Sequence, residues 1–493
     1  MKEILAIYKI VDSHLCQYKD CEKIEKIINK NESFINLEEN HKTLIINYIK
    51  TQALDMKRIK DTNSEDVKKN TNNKTKKLKS DDKILKKSEI SVGERLSSQL
   101  KAVQLKKVSD EEYKERKEIF EALERVVLPE QRSPEWFTMR EGKITASDGG
   151  AVINLNKYEP QCRFIYKKVY GSTFETNQAC YHGKKFEEAV TMMYEYQNDV
   201  KTREFGLMGH NKYSFLGASP DGICSPYKRN GKTKSDLVGR MLEIKCPLMR
   251  KIKFTGEIKD EICPVYYWCQ VQLQLECCNL PECDFIQCNI EEYESKDEWI
   301  EDTDDIKEYL SKQNQKERGV IIEMVPTDLT DDDYDKDGKV KLDTIYNKAE
   351  FIYPSKIDMT NKQTENWIKK TSKSYKSIYD IREKQLNKTL DLDEENSKSI
   401  NRVLFWKLKE RNCTLIERDT EWFNSNVGEY KRIWDHVLFL RTNEAKANQW
   451  KTLVDAKMKE HEDKLYNNFY IKKLAEKSLS AYLVSELEKI IIQ

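Results

Sequence analysis

The sequence lacks several features that mark common classes of protein. No run of about 18 apolar residues, the length that suggests a membrane helix, is present. The N-terminal segment has no basic stretch followed by an apolar one, so we expect no secretory signal and a soluble, intracellular protein. No P-loop and no dinucleotide-binding glycine pattern occurs, and ATP hydrolysis and Rossmann-type chemistry therefore have no support.

Residues that bind soft metals are also scarce or irregularly spaced. The chain has only 6 histidines, which disfavours a zinc site. Its 13 cysteines form no Cys-x-x-Cys motif, and their odd number favours reduced thiols over disulfides. An iron–sulfur cluster is not expected, because the gaps within the densest group are irregular; that group is Cys277, Cys278, Cys283 and Cys288.

Length and local composition predict several regions within the 493 residues. Residues 1–55 show helical apolar periodicity and are predicted to form a small helical module. Residues 56–105 are predicted to be a Lys-rich linker, with a basic arm on phosphates as the alternative. A core is predicted over 106–352, and a helical C-terminal region over 353–493 that packs on the core or on another subunit. The net charge of only +1 means that nucleic-acid binding would need locally gathered positive charge.

The strongest chemical signal lies between residues 219 and 247. A Ser-Pro-Asp-Gly turn presents Asp221, and a predicted strand carries Glu243 and Lys245 on one face because they are two residues apart. Two carboxylates and a lysine that converge can hold a divalent metal and orient a water molecule, which is the chemistry of phosphodiester hydrolysis. The alternatives are an ordinary turn at Asp221 and a structural ion pair between Glu243 and Lys245.

Three further segments carry polar residues at helix positions. Arg140 near one helix end and Ser147 near the start of another helix are a possible phosphate site. Glu187 lies at the edge of an apolar helical stripe and could point toward a site, although a surface glutamate is the simpler interpretation. Tyr267, Gln270 and Gln274 share a polar helix face, where the amides could orient water or a phosphate or merely satisfy backbone groups.

In their order along the chain, these motifs resemble the YqaJ-type viral recombinase family, the phage lambda exonuclease branch of the PD-(D/E)XK nucleases. The resemblance covers about residues 132–290 and rests on Pro220-Asp221, Glu243-Ile244-Lys245, and the segments 136–147, 182–187 and 267–272. It implies an α/β (α+β) fold with a mixed β-sheet flanked by helices, plus helical N- and C-terminal regions. The long terminal regions resemble those of giant-virus members, including Cas4-like nucleases, although the Cas4 iron–sulfur cysteine pattern is not evident.

The same resemblance implies roles for individual residues. Two Mg²⁺ or Mn²⁺ ions would be expected per site, with Asp221, Glu243 and the backbone carbonyl of Ile244 as ligands and Glu187 at the second metal position. Lys245 would orient or deprotonate the attacking water, and Gln270 and Tyr267 would support the site. A terminal 5′-phosphate would be held by Arg140, Ser147 and Ser219.

The implied function is a metal-dependent DNA exonuclease that recognises a 5′-phosphate and processes duplex ends, in viral recombination, repair or defence against foreign DNA. The implied partners are double-stranded DNA ends, a helicase or single-strand-annealing protein, and further copies of the chain. A viral protein of this kind would act in the host cytoplasm or a viral factory. Two alternatives stay open: an endonuclease of the same fold, and a non-catalytic DNA-binding or assembly protein.

Overall fold

The structure is a computed structural model that describes residues 108–131, 133–171, 176–387, 397–464, 466 and 469–492. All of these residues belong to one compact unit, Leu105–Gln493. The predicted helical module at 1–55 and the predicted Lys-rich linker at 56–105 lie outside the described residues.

The described residues form alternating helices and strands, which we number in chain order. The helices are α1 (Asp110–Glu124), α2 (Pro134–Glu141), α3 (Gly149–Val152), α4 (Gln161–Tyr170), α5 (Gln178–Asn198), α6 (Val265–Cys278), α7 (Lys296–Glu301), α8 (Leu342–Lys348), α9 (Asn361–Ser374), α10 (Ile378–Leu386), α11 (Thr420–Thr442), α12 (Glu444–Glu462) and α13 (Phe469–Ile492). The strands are β1 (Ile144–Thr145), β2 (Val200–Arg203), β3 (Met208–Gly209), β4 (Leu216–Ala218), β5 (Gly222–Lys228), β6 (Met241–Lys245), β7 (Glu282–Glu292), β8 (Arg318–Pro326), β9 (Glu350–Ile352) and β10 (Lys398–Glu417). No helix in these described ranges is both long enough and apolar enough to cross a membrane.

A mixed sheet organises the fold, as the sequence predicted. Its strand order is β2-β5-β6-β7-β10-β8-β9, and only β6 and β7 pair in parallel. Side chains of β6 alternate between two cores: Leu242 and Ile244 pack with α5, whereas Met241 packs with α6. The sheet is therefore covered by α5 on one face and by α6 on the other, which places Glu243 and Lys245 on the face of α6.

The C-terminal region was predicted to be helical, but residues 398–417 form strand β10, and the prediction is wrong there. The strand pairs with β8 through its first half and with β7 through its second half. Leu404, Trp406 and Leu408 alternate into the core beneath α5, which is the period of a strand. The Lys- and Glu-rich composition of the region obscured this alternation.

The C-terminal helices α11, α12 and α13 pack against α3, α4 and the short strands β1 and β4, in one hydrophobic cluster. The indole of Trp450 donates to the carbonyl of Leu483 at 3.0 Å, which joins α12 to α13. The buried hydroxyl of Tyr430 donates to the carbonyl of Gly149 at 3.3 Å. The C-terminal helices thus support the segment that contains Ser147.

A buried ionic cluster ties the start of β6 to β7 and α5. The guanidinium of Arg240 donates to Glu282 at 2.9 Å and to Asp284 at 2.9 Å. Tyr194 donates its hydroxyl to the other oxygen of Asp284 at 2.7 Å. Arg240 and Asp284 are both almost fully buried, so each charge depends on the other for compensation.

We therefore expect Arg240→Leu to lower the free energy of unfolding by about 3–5 kcal/mol, because it leaves a buried carboxylate without its cation. Urea unfolding followed by circular dichroism measures this loss. Lys431→Leu is the matched control: its partner Asp435 lies at 2.6 Å, but both side chains are at least half exposed. The control should lose less than about 1 kcal/mol, and equal losses in the two variants would contradict the role of Arg240.

Candidate active site

The carboxylate of Glu243 lies at the centre of the candidate site and is completely buried. Gln270 donates to its Oε1 at 2.7 Å, and Gln274 donates to its Oε2 at 2.7 Å. The ammonium of Lys245 pairs with Oε1. Helix α6 positions the two amides together because they are four residues apart on one helix face.

Asp221 approaches Glu243 from the turn before β5. Strands β5 and β6 are antiparallel and pair Gly222 with Leu242, so that Asp221 lies beside Glu243. The backbone N–H of Ile244 donates to Asp221 Oδ2 at 2.7 Å. Burial, and then the negative charges of Glu243 and Glu187, raise the pKa of Asp221 well above its ordinary value.

Lys245 carries the positive charge of this group. Its ammonium lies 4.8 Å from the centroid of the Tyr267 ring, within the range of a cation–π contact. Burial lowers the pKa of Lys245, but the charges of Glu243 and Asp221 outweigh burial and raise that pKa above its ordinary value. Lys245 is therefore a protonated donor in this arrangement.

Glu187 reaches the site from a different element than the other acids. It belongs to α5, which covers the opposite face of the sheet from α6. Its charge still acts on Asp221 and raises the pKa of that carboxyl. In the described ranges, no three His, Cys, Asp or Glu side chains are close enough together to hold one metal ion. The charges of the implied ligands thus act on one another, but their side chains are not gathered around one metal position.

The chemistry of these groups nevertheless fits a hard divalent cation. The candidate donors Asp221, Glu243 and the carbonyl of Ile244 are all oxygens, which suit Mg²⁺ or Mn²⁺ better than zinc. The repulsion that raises the pKa of Asp221 is of the kind that a bound cation relieves. In addition, the buried Oε1 of Gln274 has no hydrogen-bond partner.

The three residues of the predicted phosphate site are also brought together. A guanidinium nitrogen of Arg140 lies 3.3 Å from the hydroxyl of Ser147. The same guanidinium lies 4.4 Å from the centroid of the Trp136 ring, whose indole N–H donates to Ser219 at 3.3 Å. Trp136 therefore connects Arg140 and Ser147 to the turn that presents Asp221.

A buried acid fixes the backbone below this phosphate site. Asp148 accepts a hydrogen bond from the Thr145 hydroxyl at 2.8 Å and pairs with Lys167 at 2.9 Å and Lys168 at 3.2 Å. Burial raises the pKa of Asp148, but the two lysines and the hydrogen bonds lower it far more, and its charge is retained. Asp148 thus holds the turn around Ser147 in place.

The sequence placed Gln274 on the same helix face as Gln270, and the structure shows that Gln274 contacts Glu243 as closely as Gln270 does. Sequence reasoning did not assign a role to Trp136. Trp136 bridges the two halves of the site, and its contact with Ser219 spans 83 residues of chain. A contact across that distance leaves no local pattern.

The four cysteines considered for an iron–sulfur cluster lie in separate parts of the core. Cys277 packs with the C-terminal helices, Cys278 and Cys283 pack in the core of α6, and Cys288 packs in the core of α5. All four thiols are buried, and burial raises the pKa of each. They behave as small apolar side chains.

Comparison with known proteins identifies relatives of the part of the chain that contains these residues. Residues 135–281 match the family model of the YqaJ-like viral recombinase domain. An uncharacterised protein of Acanthamoeba polyphaga mimivirus is 36% identical over 321 residues, which cover 65% of this chain and 54% of that protein. The chain thus spans about half the length of this curated relative.

Two solved structures are similar at low scores. The crystal structure of LHK-Exo in complex with dAMP is 16% identical with a TM-score of 0.31, and covers 64% of this chain and 100% of that one. The structure of an alkaline exonuclease from Laribacter hongkongensis is 25% identical with a TM-score of 0.25, and covers 32% of this chain and 74% of that one. The chain therefore carries a YqaJ-like viral recombinase domain over residues 135–281, a range that contains every candidate site residue from Arg140 to Gln270.

Proposed function

We propose that the protein is a Mg²⁺- or Mn²⁺-dependent deoxyribonuclease that removes nucleotides from 5′-phosphorylated duplex ends. The observation that carries this proposal is the group formed by Asp221, Glu243 and Lys245 with two supporting amides. A buried pair of acids that repel each other is costly for the fold, and metal binding is a function that would explain its presence.

In this proposal each side chain has a defined task. Asp221, Glu243 and the carbonyl of Ile244 would hold a metal ion, and Glu187 on α5 would serve the second metal position. When bound, the ion would supply positive charge to the phosphate oxygens and lower the pKa of water. The raised pKa of Lys245 favours a role in orienting the water over a role in deprotonating it.

The remaining residues would bind and orient the substrate. Gln270 fixes one oxygen of Glu243, and Tyr267 contacts the ammonium of Lys245. Arg140, Ser147 and Ser219 would hold the terminal phosphate, since a guanidinium and hydroxyl groups are suitable donors to its oxygens. DNA ends are therefore the proposed substrate. We further propose that the protein works with a helicase or a single-strand-annealing protein and that it self-associates.

We expect Asp221→Asn, Glu243→Gln and Lys245→Ala each to slow DNA hydrolysis by about a hundredfold or more, because each removes a charge from the reacting centre. The measurement is the release of acid-soluble nucleotides from linear 5′-phosphorylated duplex DNA with Mg²⁺ or Mn²⁺. Asp236→Asn, at an exposed position, is the control and should retain activity. Undiminished hydrolysis by Asp221→Asn would refute the assignment.

Covalently closed circular DNA separates the two modes of cleavage in the same assay. An end-dependent enzyme degrades the linear form and leaves the circle intact, whereas an endonuclease nicks the circle. Binding of linear DNA without any cleavage in either metal would favour the non-catalytic alternative.

We also expect Asp221→Asn to raise the free energy of unfolding at neutral pH by about 1–3 kcal/mol in metal-free buffer. The pKa of Asp221 is raised in the folded protein above its ordinary 3.8. Its contribution to stability is therefore complete below pH 3.8 and is lost as the pH rises through the raised pKa. Mg²⁺ or Mn²⁺ should raise the melting temperature of the wild type more than that of this variant.

Thermal unfolding with and without metal tests this expectation, and the gain of Asp221→Asn should shrink as the pH is lowered toward 4. The exposed Asp236→Asn variant should show neither effect. A melting temperature that does not respond to either cation in the wild type would contradict metal binding at this site.

A third expectation concerns the phosphate site. Arg140→Lys and Ser147→Ala should reduce the preference for 5′-phosphorylated over 5′-hydroxyl ends by roughly tenfold, because a bidentate donor or a hydroxyl is lost. The measurement is the ratio of the initial rates on the two substrates. Ser225→Ala on β5 is the control for a lost hydroxyl. Equal losses on both substrates would indicate a structural role instead.

A further inference from the structure

A row of three tyrosines leads from the catalytic lysine to the protein surface. Tyr267 lies 4.8 Å from the ammonium of Lys245, and its ring centroid is 4.4 Å from that of Tyr266. The Tyr266 centroid is 5.7 Å from that of Tyr158, at an interplanar angle of 87°. Tyr158 is 51% exposed, so its ring keeps aromatic surface available at the outer end. We call Tyr158, Tyr266 and Tyr267 the tyrosine track.

The backbone holds the outer end of the track in a fixed position. Gly150 lies so close to Tyr266 that a Cβ at this position would come within 2.9 Å of the tyrosine Cβ. The carbonyl of Gly150 accepts hydrogen bonds from the N–H groups of Leu155 at 2.7 Å and Asn156 at 2.9 Å. The Asn156 side chain in turn accepts from the N–H of Tyr158 at 2.9 Å. The loop that carries Tyr158 is thus preorganised against α6.

Positive charge accompanies the track on both sides. The ammonium of Lys157 lies 5.1 Å from the centroid of the Tyr158 ring. The guanidinium of Arg250 is close enough to Tyr266 for its charge to lower the pKa of that hydroxyl, against the larger effect of burial. Arg250 is oriented by a hydrogen bond of 2.7 Å to Gln287. Aromatic faces beside cations are the combination that binds single-stranded nucleic acid, with stacked bases and neutralised phosphates.

We propose that the tyrosine track is a binding site for single-stranded DNA, on which unpaired bases adjacent to the cleaved phosphodiester stack. The inference rests on the proposed nuclease function and adds a substrate subsite to it. An unpaired strand is the expected occupant because the faces of paired bases are covered by their neighbours in a duplex. Stacking on tyrosine tolerates any base, which suits an enzyme that degrades DNA regardless of sequence.

Tyr158 is the residue that distinguishes this role from a structural one. Tyr266 and Tyr267 pack within the fold, and their replacement would disturb α6 and the contact with Lys245. Tyr158 is half exposed, so its loss should leave the fold intact. Tyr227 is a matched control at a distant part of β5: it is 37% exposed, and Lys117 lies 5.6 Å from its ring centroid.

The test measures the affinity of the full chain for a fluorescein-labelled, 5′-phosphorylated single strand by fluorescence anisotropy. All proteins carry Asp221→Asn and the buffer contains Mg²⁺, so that the DNA stays intact. We expect Tyr158→Ala to raise the Kd about tenfold, and Tyr158→Phe and Tyr227→Ala to stay within about twofold of the parent. An equal Kd for Tyr158→Ala and Tyr227→Ala would overturn the proposal.

A second arm places one abasic site at each of the first three nucleotides in turn. At one position the parent should lose about tenfold in affinity, and the Tyr158→Ala variant should lose nothing further there. Independent, additive losses would show that the missing base and Tyr158 do not contact each other, which also overturns the proposal.

Hydrolysis of linear duplex by the unsubstituted protein is measured in parallel, which keeps the two proposals separable. Binding that depends on Tyr158 and on the abasic position, without any hydrolysis, would support the track and refute the nuclease. Hydrolysis together with binding that ignores both changes would support the nuclease and refute the track.

Discussion

The structure depends on a negative charge buried in the middle of a sheet. Glu243 occupies a position of β6 where an apolar side chain would normally pack against α6. An uncompensated carboxylate there would cost several kcal/mol, and the fold provides two amides from α6 and the ammonium of Lys245. Asp221 accepts a hydrogen bond from the backbone N–H of Ile244, while burial and the charges of Glu243 and Glu187 raise its pKa.

The parts of the site that short-range patterns encode could be predicted from the sequence. The two-residue spacing of Glu243 and Lys245 and the turn at Asp221 determine their relative placement before any tertiary contact forms. Contacts between distant segments could not be predicted in this way. Trp136 meets Ser219 across the chain, and β10 pairs with strands that precede it by more than 70 residues. Such pairings depend on how all the strands of the sheet assemble.

The segments on either side of the site are held by different parts of the protein. The turn around Ser147 is fixed by Asp148 from within and by the α11 hydroxyl of Tyr430 from outside. The strand that carries Glu243 is fixed by Arg240 and its acidic partners on β7. The distance between the proposed phosphate site and the acids therefore depends on how the C-terminal helices pack against α3 and α4.

Through strand β10, the C-terminal region forms part of the central sheet, between β7 and β8. The first half of β10 pairs with an edge of β8, and its second half pairs with an edge of β7. Strand β7 is in turn the parallel neighbour of the strand that carries Glu243. A chain interrupted before residue 398 would expose two unpaired strand edges at once, and such edges recruit other chains. During synthesis the central sheet therefore stays incomplete until most of the protein has been made, so that folding of the strands that carry Glu243 and its neighbours is completed late.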